Sequence, residues 1–150
     1  MTDMDSKLVA VNAITPQTVT SGGGAVASSD VDLQGFDGAL ISFAIGANGG
    51  DTLSGSNYFT LKLEHAADDG TGSAGSYSNV DSTEIVGATA ASGVVVTVDD
   101  AAEDDAIYQL AYIGGERFIK VTITPTGTLT NGNPASVAVI KGAPSFRPAS

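Results

Sequence analysis

Few side chains in this 150-residue chain are of types that do chemistry, and their spacing argues against a reaction centre. His65 is the only histidine, and it follows Glu64 at the end of an apolar alternation. A general base needs a nucleophile and an orienting acid converging on it. Adjacent strand residues point to opposite faces, so Glu64 does not orient His65. There is no cysteine, which removes disulfides and thiolate metal ligands, and a single histidine leaves zinc without a ligand set. The run Asp99, Asp100, Glu103, Asp104, Asp105 and the pair Asp68–Asp69 before Gly70 offer oxygen ligands for calcium. Neither has the glycine and closing glutamate of a twelve-residue calcium loop, so both read as solvated acidic loops and no required ion is expected. Gly50-Asp51-Thr52-Leu53-Ser54-Gly55 is not a nucleophile elbow, and the glycine-rich stretches lack the lysine of a phosphate loop. Nothing picks out a pair of carboxylates of the glycosidase kind. The expectation is a protein that is not an enzyme and uses no cofactor.

Charge points the same way. The formal net charge is −11 with only six Lys and Arg, which excludes a phosphate-tracking surface and nucleic acid as partner. The charge is uneven along the chain. Residues 1–105 hold sixteen acids and two bases, whereas residues 106–150 hold Arg117, Lys120, Lys141 and Arg147 against Glu116 alone. This asymmetry is read in two ways: as a soluble acidic surface, or as a C-terminal third that docks on an acidic partner. No stretch is long and apolar enough for a membrane span, and the polar start, residues 1–7, has no signal-peptide pattern. Synthesis and folding in a cytoplasm are expected.

The elements that position these residues are strands. No segment keeps a 3.6-residue apolar repeat, and nineteen glycines punctuate short runs rich in Val, Ile, Thr, Tyr and Phe. The runs are Lys7–Ile14 with a continuation Gln17–Thr20 after a kink at Pro16, Val26–Leu33, Ala39–Ile45, Asn57–His65, Val80–Val86, Gly93–Val98, Ile107–Ile113, Arg117–Thr124 and Ala135–Lys141. Asn57–His65 is the cleanest, with Phe59, Leu61 and Leu63 on one face, while Ala39–Ile45 reads as more fully buried. Gly114-Gly115 between Ile113 and Glu116 reads as a two-residue hairpin turn at positive φ. That turn would place Tyr112 near Arg117 and set Leu110, Ile119 and Val121 on a core face. The expected fold is all-β: one antiparallel sandwich over residues 1–150, jelly-roll-like, of eight or nine strands. Residues 1–7 and 142–150 are expected as extended ends.

Two stretches together resemble a known family. One is Leu33-Gln34-Gly35-Phe36-Asp37-Gly38 leading to Phe59-Thr60-Leu61-Lys62-Leu63-Glu64 and Asp68-Asp69-Gly70. The other is Tyr108-Gln109-Leu110-Ala111-Tyr112-Ile113-Gly114-Gly115-Glu116-Arg117-Phe118, followed by Val137–Lys141 and Gly142-Ala143-Pro144. This order is similar to that of small virion proteins from the structural gene modules of tailed bacteriophages. The resemblance implies a capsid decoration, or cement, protein on the outer capsid surface. Its implied partner is the major capsid protein, and it implies a homo-oligomer, with a trimer on quasi-threefold axes as the first expectation. It carries over no catalytic motif. The candidate partner-binding residues are Phe146 and Arg147, an apolar anchor beside a cation, together with Arg117 and Lys141. The alternative function is a carbohydrate- or receptor-binding sandwich of a phage tail or cell surface, which the absence of Trp disfavours.

Overall fold

In every long strand of the molecule alternate residues are apolar, so each strand has one face to hide. A computed structural model describes residues 8–144 and places those faces against each other in two antiparallel sheets. The strands are β1 (Val9–Val19), β2 (Val26–Ala27), β3 (Val31–Asp32), β4 (Phe36–Ile45), β5 (Tyr58–Ala66), β6 (Ser78–Asn79), β7 (Ile85–Val86), β8 (Val94–Val98), β9 (Ala106–Tyr112), β10 (Phe118–Thr126) and β11 (Asn133–Pro144). The only helical turn among the described residues is a 3-10 turn at Ser82–Glu84.

The first sheet, sheet A, has the order β1-β11-β4-β9-β7. In the second, sheet B, β10 pairs with β2 and β3 on one side and β5 on the other, and β5 carries β8 and β6. With β2 and β3 taken as one interrupted strand, and the two-residue β6 and β7 set aside as additions, eight strands remain. Their orders are first-eighth-third-sixth and second-seventh-fourth-fifth, the two interlocked Greek keys of a jelly roll. The sandwich expected from the sequence is therefore present.

The core lies between the sheets. Ile41, Phe43, Val137 and Val139 of sheet A and Phe59, Leu61, Leu63, Ile119, Val121 and Ile123 of sheet B are all fully buried. β4 buries one face only. Ala39, Ile41, Phe43 and Ile45 go inward, and Leu40, Ser42 and Ala44 stay only partly exposed, so this run is more fully buried than its neighbour β9, as its composition suggests. Pro16 falls where expected, at an irregularity in edge strand β1 between Ile14 and Gln17, where a missing N–H disturbs no central ladder. β11 runs on to Pro144, which pairs with Phe36, so Gly142–Pro144 belong to the sheet rather than to an extended tail. Residues 1–7 and 145–150 lie outside the described residues.

The hairpin expectation is wrong. β9 pairs with β4 and β7 in sheet A, while β10 pairs in sheet B, so residues 113–117 carry the chain from one sheet to the other. Leu110 and Tyr112 still share a core with Ile119 and Val121, but across the sandwich and not along one ribbon. The glycines answer to space instead of turn geometry. Neither Gly114 nor Gly115 has positive φ. A Cβ on Gly114 would sit 2.5–2.6 Å from the Tyr112 phenol ring and oxygen. Gly114 is small because Tyr112 occupies the place its side chain would take.

Two stability measurements test this packing. Truncating Leu110 to alanine in the core should cost about 2–5 kcal/mol in denaturant unfolding. Gln109→Ala on the outward face should cost less than about 0.5 kcal/mol. Gly114→Ala should cost roughly 1–3 kcal/mol by overpacking Tyr112. A neutral Gly114→Ala would mean that the crossover does not press on that ring.

Candidate functional surface

Two of the four sequence-selected residues, Arg117 and Lys141, meet at one end of the sandwich. Arg117 immediately precedes β10 and makes a bidentate pair with Asp32 of β3, Nε to Oδ1 at 2.9 Å and Nη2 to Oδ2 at 2.7 Å. It also donates to Gln34 Oε1 at 2.9 Å and to the carboxylate of Asp68. Its guanidinium lies 4.8 Å from the centre of the Phe118 ring. Lys141 Nζ donates to the backbone oxygen of Asp32 at 3.2 Å and sits 5.1 Å above the Phe36 ring. Both cations are thus engaged within the chain. Arg117 ties the loop at residues 66–78 and β3 to the start of β10. The acidic first part of the sequence supplies its partners, so the fold pairs this cation of the C-terminal third with carboxylates from the first part. Phe146 and Arg147 lie outside the described residues.

The acidic loops use their carboxylates as backbone acceptors. Asp68 Oδ1 accepts from the N–H groups of Gly70 and Gly72, and Asp69 Oδ1 accepts from Thr71 and Ser73. Glu103 accepts from the Asp99 N–H, and Asp104 from the Asn48 N–H. Among the described residues no three His, Asp or Glu side chains are grouped to hold a metal ion. The Arg117 hydrogen bond holds the Asp32 carboxyl below the usual range, and the Gly72 and Gly70 N–H groups, then Arg117, do the same for Asp68.

His65 is buried and has no nucleophile beside it. Its Nδ1 lies 2.9 Å from the Tyr112 hydroxyl, and its Nε2 lies 3.8 Å from Glu84. The Tyr112 oxygen also accepts from the Glu116 N–H at 3.3 Å, and burial pushes its pKa up to about 12. The histidine links the two sheets: it stands on β5, and its partner tyrosine on β9. This is a structural hydrogen bond at the rim of the core.

The feature that sequence reading missed is the outer face of sheet A. Ala10, Ile140, Leu40, Ala111 and Val86 form one row across all five strands. Asn12, Ala138, Ser42 and Gln109 form the next row, then Ser136, Ala44 and Ile107. Gly142 pairs with Gly38 at the near end. None of these residues is Asp, Glu, Lys or Arg, in a chain with twenty-three charged side chains. Ile107, Val86 and the adjoining Ile113 are 67%, 56% and 55% exposed. Two shallow clefts mark the face. One, of about 300 Å³, lies among Leu8, Leu40, Ile113 and Ile140, and the other, of about 380 Å³, among Pro16, Ala44, Ile107 and Pro134 with Asp105 at its rim. The outer face of sheet B is different in kind. It presents threonines with Lys62 bridged to Glu64 at 2.8 Å, and Lys120 lies opposite Glu64. The described part of sheet A thus presents a contiguous uncharged face, apolar in its outer rows and amide- and hydroxyl-bearing in its middle row.

No family model matches the chain, and no curated protein matches it. Solved structures that resemble it include a protein of Bacillus endospore appendages, which form disulfide-linked pili. It is 14% identical over 93% of this chain and 90% of that one, at a TM-score of 0.40. The SPBc2 prophage-derived protein YomS is 13% identical over 89% of this chain and 91% of that one, at 0.41. The Clostridium thermocellum xylanase 10B, in its CBM22-1 and GH10 modules, is 15% identical over 96% of this chain and 28% of that one, at 0.44. At such identities and scores none of them decides what this chain does.

The Arg117 cluster gives a pH prediction. The carboxyls of Asp32, Asp68 and Asp69 are all held low in the folded chain. The unfolded chain therefore binds protons first, near the ordinary Asp value of about 3.9. The stability these groups add is complete above that value and is lost as pH falls through the folded values. Denaturant midpoints measured from pH 5 down to pH 2 should fall. Arg117→Ala should lower the midpoint at pH 5 and flatten the acid slope; an unchanged slope would remove Arg117 as its cause.

Proposed function

We propose that this chain is a structural virion protein that decorates a phage capsid and stabilises it by binding the lattice of major capsid protein. The observation that carries the reading is the uncharged outer face of sheet A. It is a broad, shallow surface suited to protein contact. Its clefts hold no converging acid, base and nucleophile, so its chemistry is complementarity repeated over many identical sites. The order of motifs from Leu33 to Pro144, which resembles small phage virion proteins, supplies the biological setting. The acidic remainder of the surface suits a particle part that must not adhere to nucleic acid or aggregate.

The carbohydrate-binding alternative draws no support from this face. Sugar rings stack on flat aromatic side chains, and the outward residues of sheet A are aliphatic, small or amide-bearing. Tyr77 is occupied elsewhere, donating to Asp30 at 2.8 Å under the Lys120 ammonium.

Purified protein should bind shells assembled without it and raise their resistance to heat or chelator. Leu40→Asp, on the outer row, should weaken that binding severalfold with the sandwich still folded by circular dichroism. Failure of the wild-type protein to bind or stabilise shells, together with binding to a glycan, would overturn the assignment.

A further inference from the structure

We propose that the outer face of sheet A packs against the same face of a second copy, forming a two-fold dimer. The inference rests on the reading of this face as a protein-assembly surface and commits it to one occupant, a second copy. The dimer then meets the shell through its remaining surface, and splitting it weakens shell binding by halving the number of linked contacts.

The argument begins with what is missing from the face. A site for a different protein has no need to be charge-free. An acidic chain can keep carboxylates there and meet cations on its partner, which speeds encounter and fixes register. A two-fold contact has no such freedom, because it brings a patch onto itself. In a chain of net charge −11 a retained carboxylate would meet another of its kind. Complete exclusion of charge from the paired rows of β1, β11, β4 and β9 is the pattern that self-contact requires.

Size agrees. Five strands span about 24 Å, and the outward residues run about 20–27 Å along them, a footprint of roughly 500–650 Å² before side-chain relief is counted. A standard protein interface takes about 800 Å² from each partner.

Relief and charge together select the axis. A two-fold along the row Asn12–Ala138–Ser42–Gln109 reverses the strand direction between copies. It brings the protruding Ile107 over Ala111 of the second copy, where a small side chain leaves room. It also keeps the end carrying Asp51 and the Asp99–Asp105 loop away from the same acidic end of the second copy. A two-fold along the strands would instead lay the two acidic ends side by side. With the chosen axis, Ser42 of one copy stands opposite Ser42 of the other.

Light scattering with size exclusion, on the full chain at roughly tens of micromolar, above the weakest affinity expected for an interface of this size, should give twice the chain mass. Ser42→Asp changes an already polar, partly exposed position and should halve that mass without lowering the melting temperature appreciably. Thr60→Asp on sheet B should leave the dimer intact. Because the chain has no cysteine, Ser42→Cys should cross-link to itself through a short bis-maleimide, and Thr60→Cys should not. A wild-type mass of one chain overturns the second copy as occupant. If Ser42→Asp still loses shell binding in that case, the face docks on the shell and the virion reading stands. If it affects neither mass nor shell binding, both readings fall. A trimer overturns the inference, since a three-fold axis cannot pair a face with itself.

Discussion

Burial of one face of each sheet against the other is the constraint on which this molecule depends. The chain has no cysteine to staple it. A buried Leu, Ile, Val or Phe side chain contributes about 1.5–3 kcal/mol, and the core between the sheets holds twenty-two such residues. The partly solvated ion pairs at the Arg117 end contribute little by comparison. Their role is positional: they fasten β3 and the 66–78 loop over the end of a core that already holds. The pairing of β1 with β11 brings the two ends of the described chain together, so this core closes only when distant strands meet. Folding should accordingly be slow beside that of a chain rich in local contacts.

The same alternation that builds the core leaves a second set of residues facing water, and there the two sheets part company. Sheet B spends its outer face on threonines and paired charges, the ordinary solution for a solvated sheet. Sheet A places glycine, alanine, serine, leucine and isoleucine there. The fold does not demand this, because Leu40 or Ile140 could be threonine or lysine without touching the core. A choice that the fold leaves free, made consistently on five strands, belongs to function and not to stability.

What the sequence disclosed and what it withheld follow from the range of each signal. Phe59, Leu61 and Leu63 declared their face because the alternation is local. The Gly114-Gly115 pair misled because a two-residue turn and a tight approach to a ring both ask for glycine, and only the position of Tyr112 tells them apart. The charge asymmetry between the first 105 residues and the rest looked like a docking signal, yet a jelly roll interleaves its ends, and Asp32 and Asp68 come to rest on Arg117. The outer face of sheet A could not be read along the chain at all. Its central row draws Ala10, Leu40, Ala111 and Ile140 from strands far apart in sequence, and each run alone looks like common strand vocabulary. Only the register turns them into a surface.

The remaining question is how an acidic chain tolerates a bare apolar face. Two carboxylates forced to 4 Å cost about 1 kcal/mol in water and about 4 kcal/mol at the lower effective dielectric of a contact. Charges farther apart than the Debye length of about 8 Å at physiological salt are largely screened. Among the described residues the acids sit on loops at the ends of the sandwich, on the strands of sheet B or, for Asp37, at the start of β4, and none lies on the paired outer rows of sheet A. Their repulsion therefore acts on random encounters, where any part of one surface meets any part of another, and fades for the one orientation that joins face to face. An acidic periphery around an uncharged sheet is thus a selective arrangement: it discourages disordered aggregation while leaving a single ordered contact open.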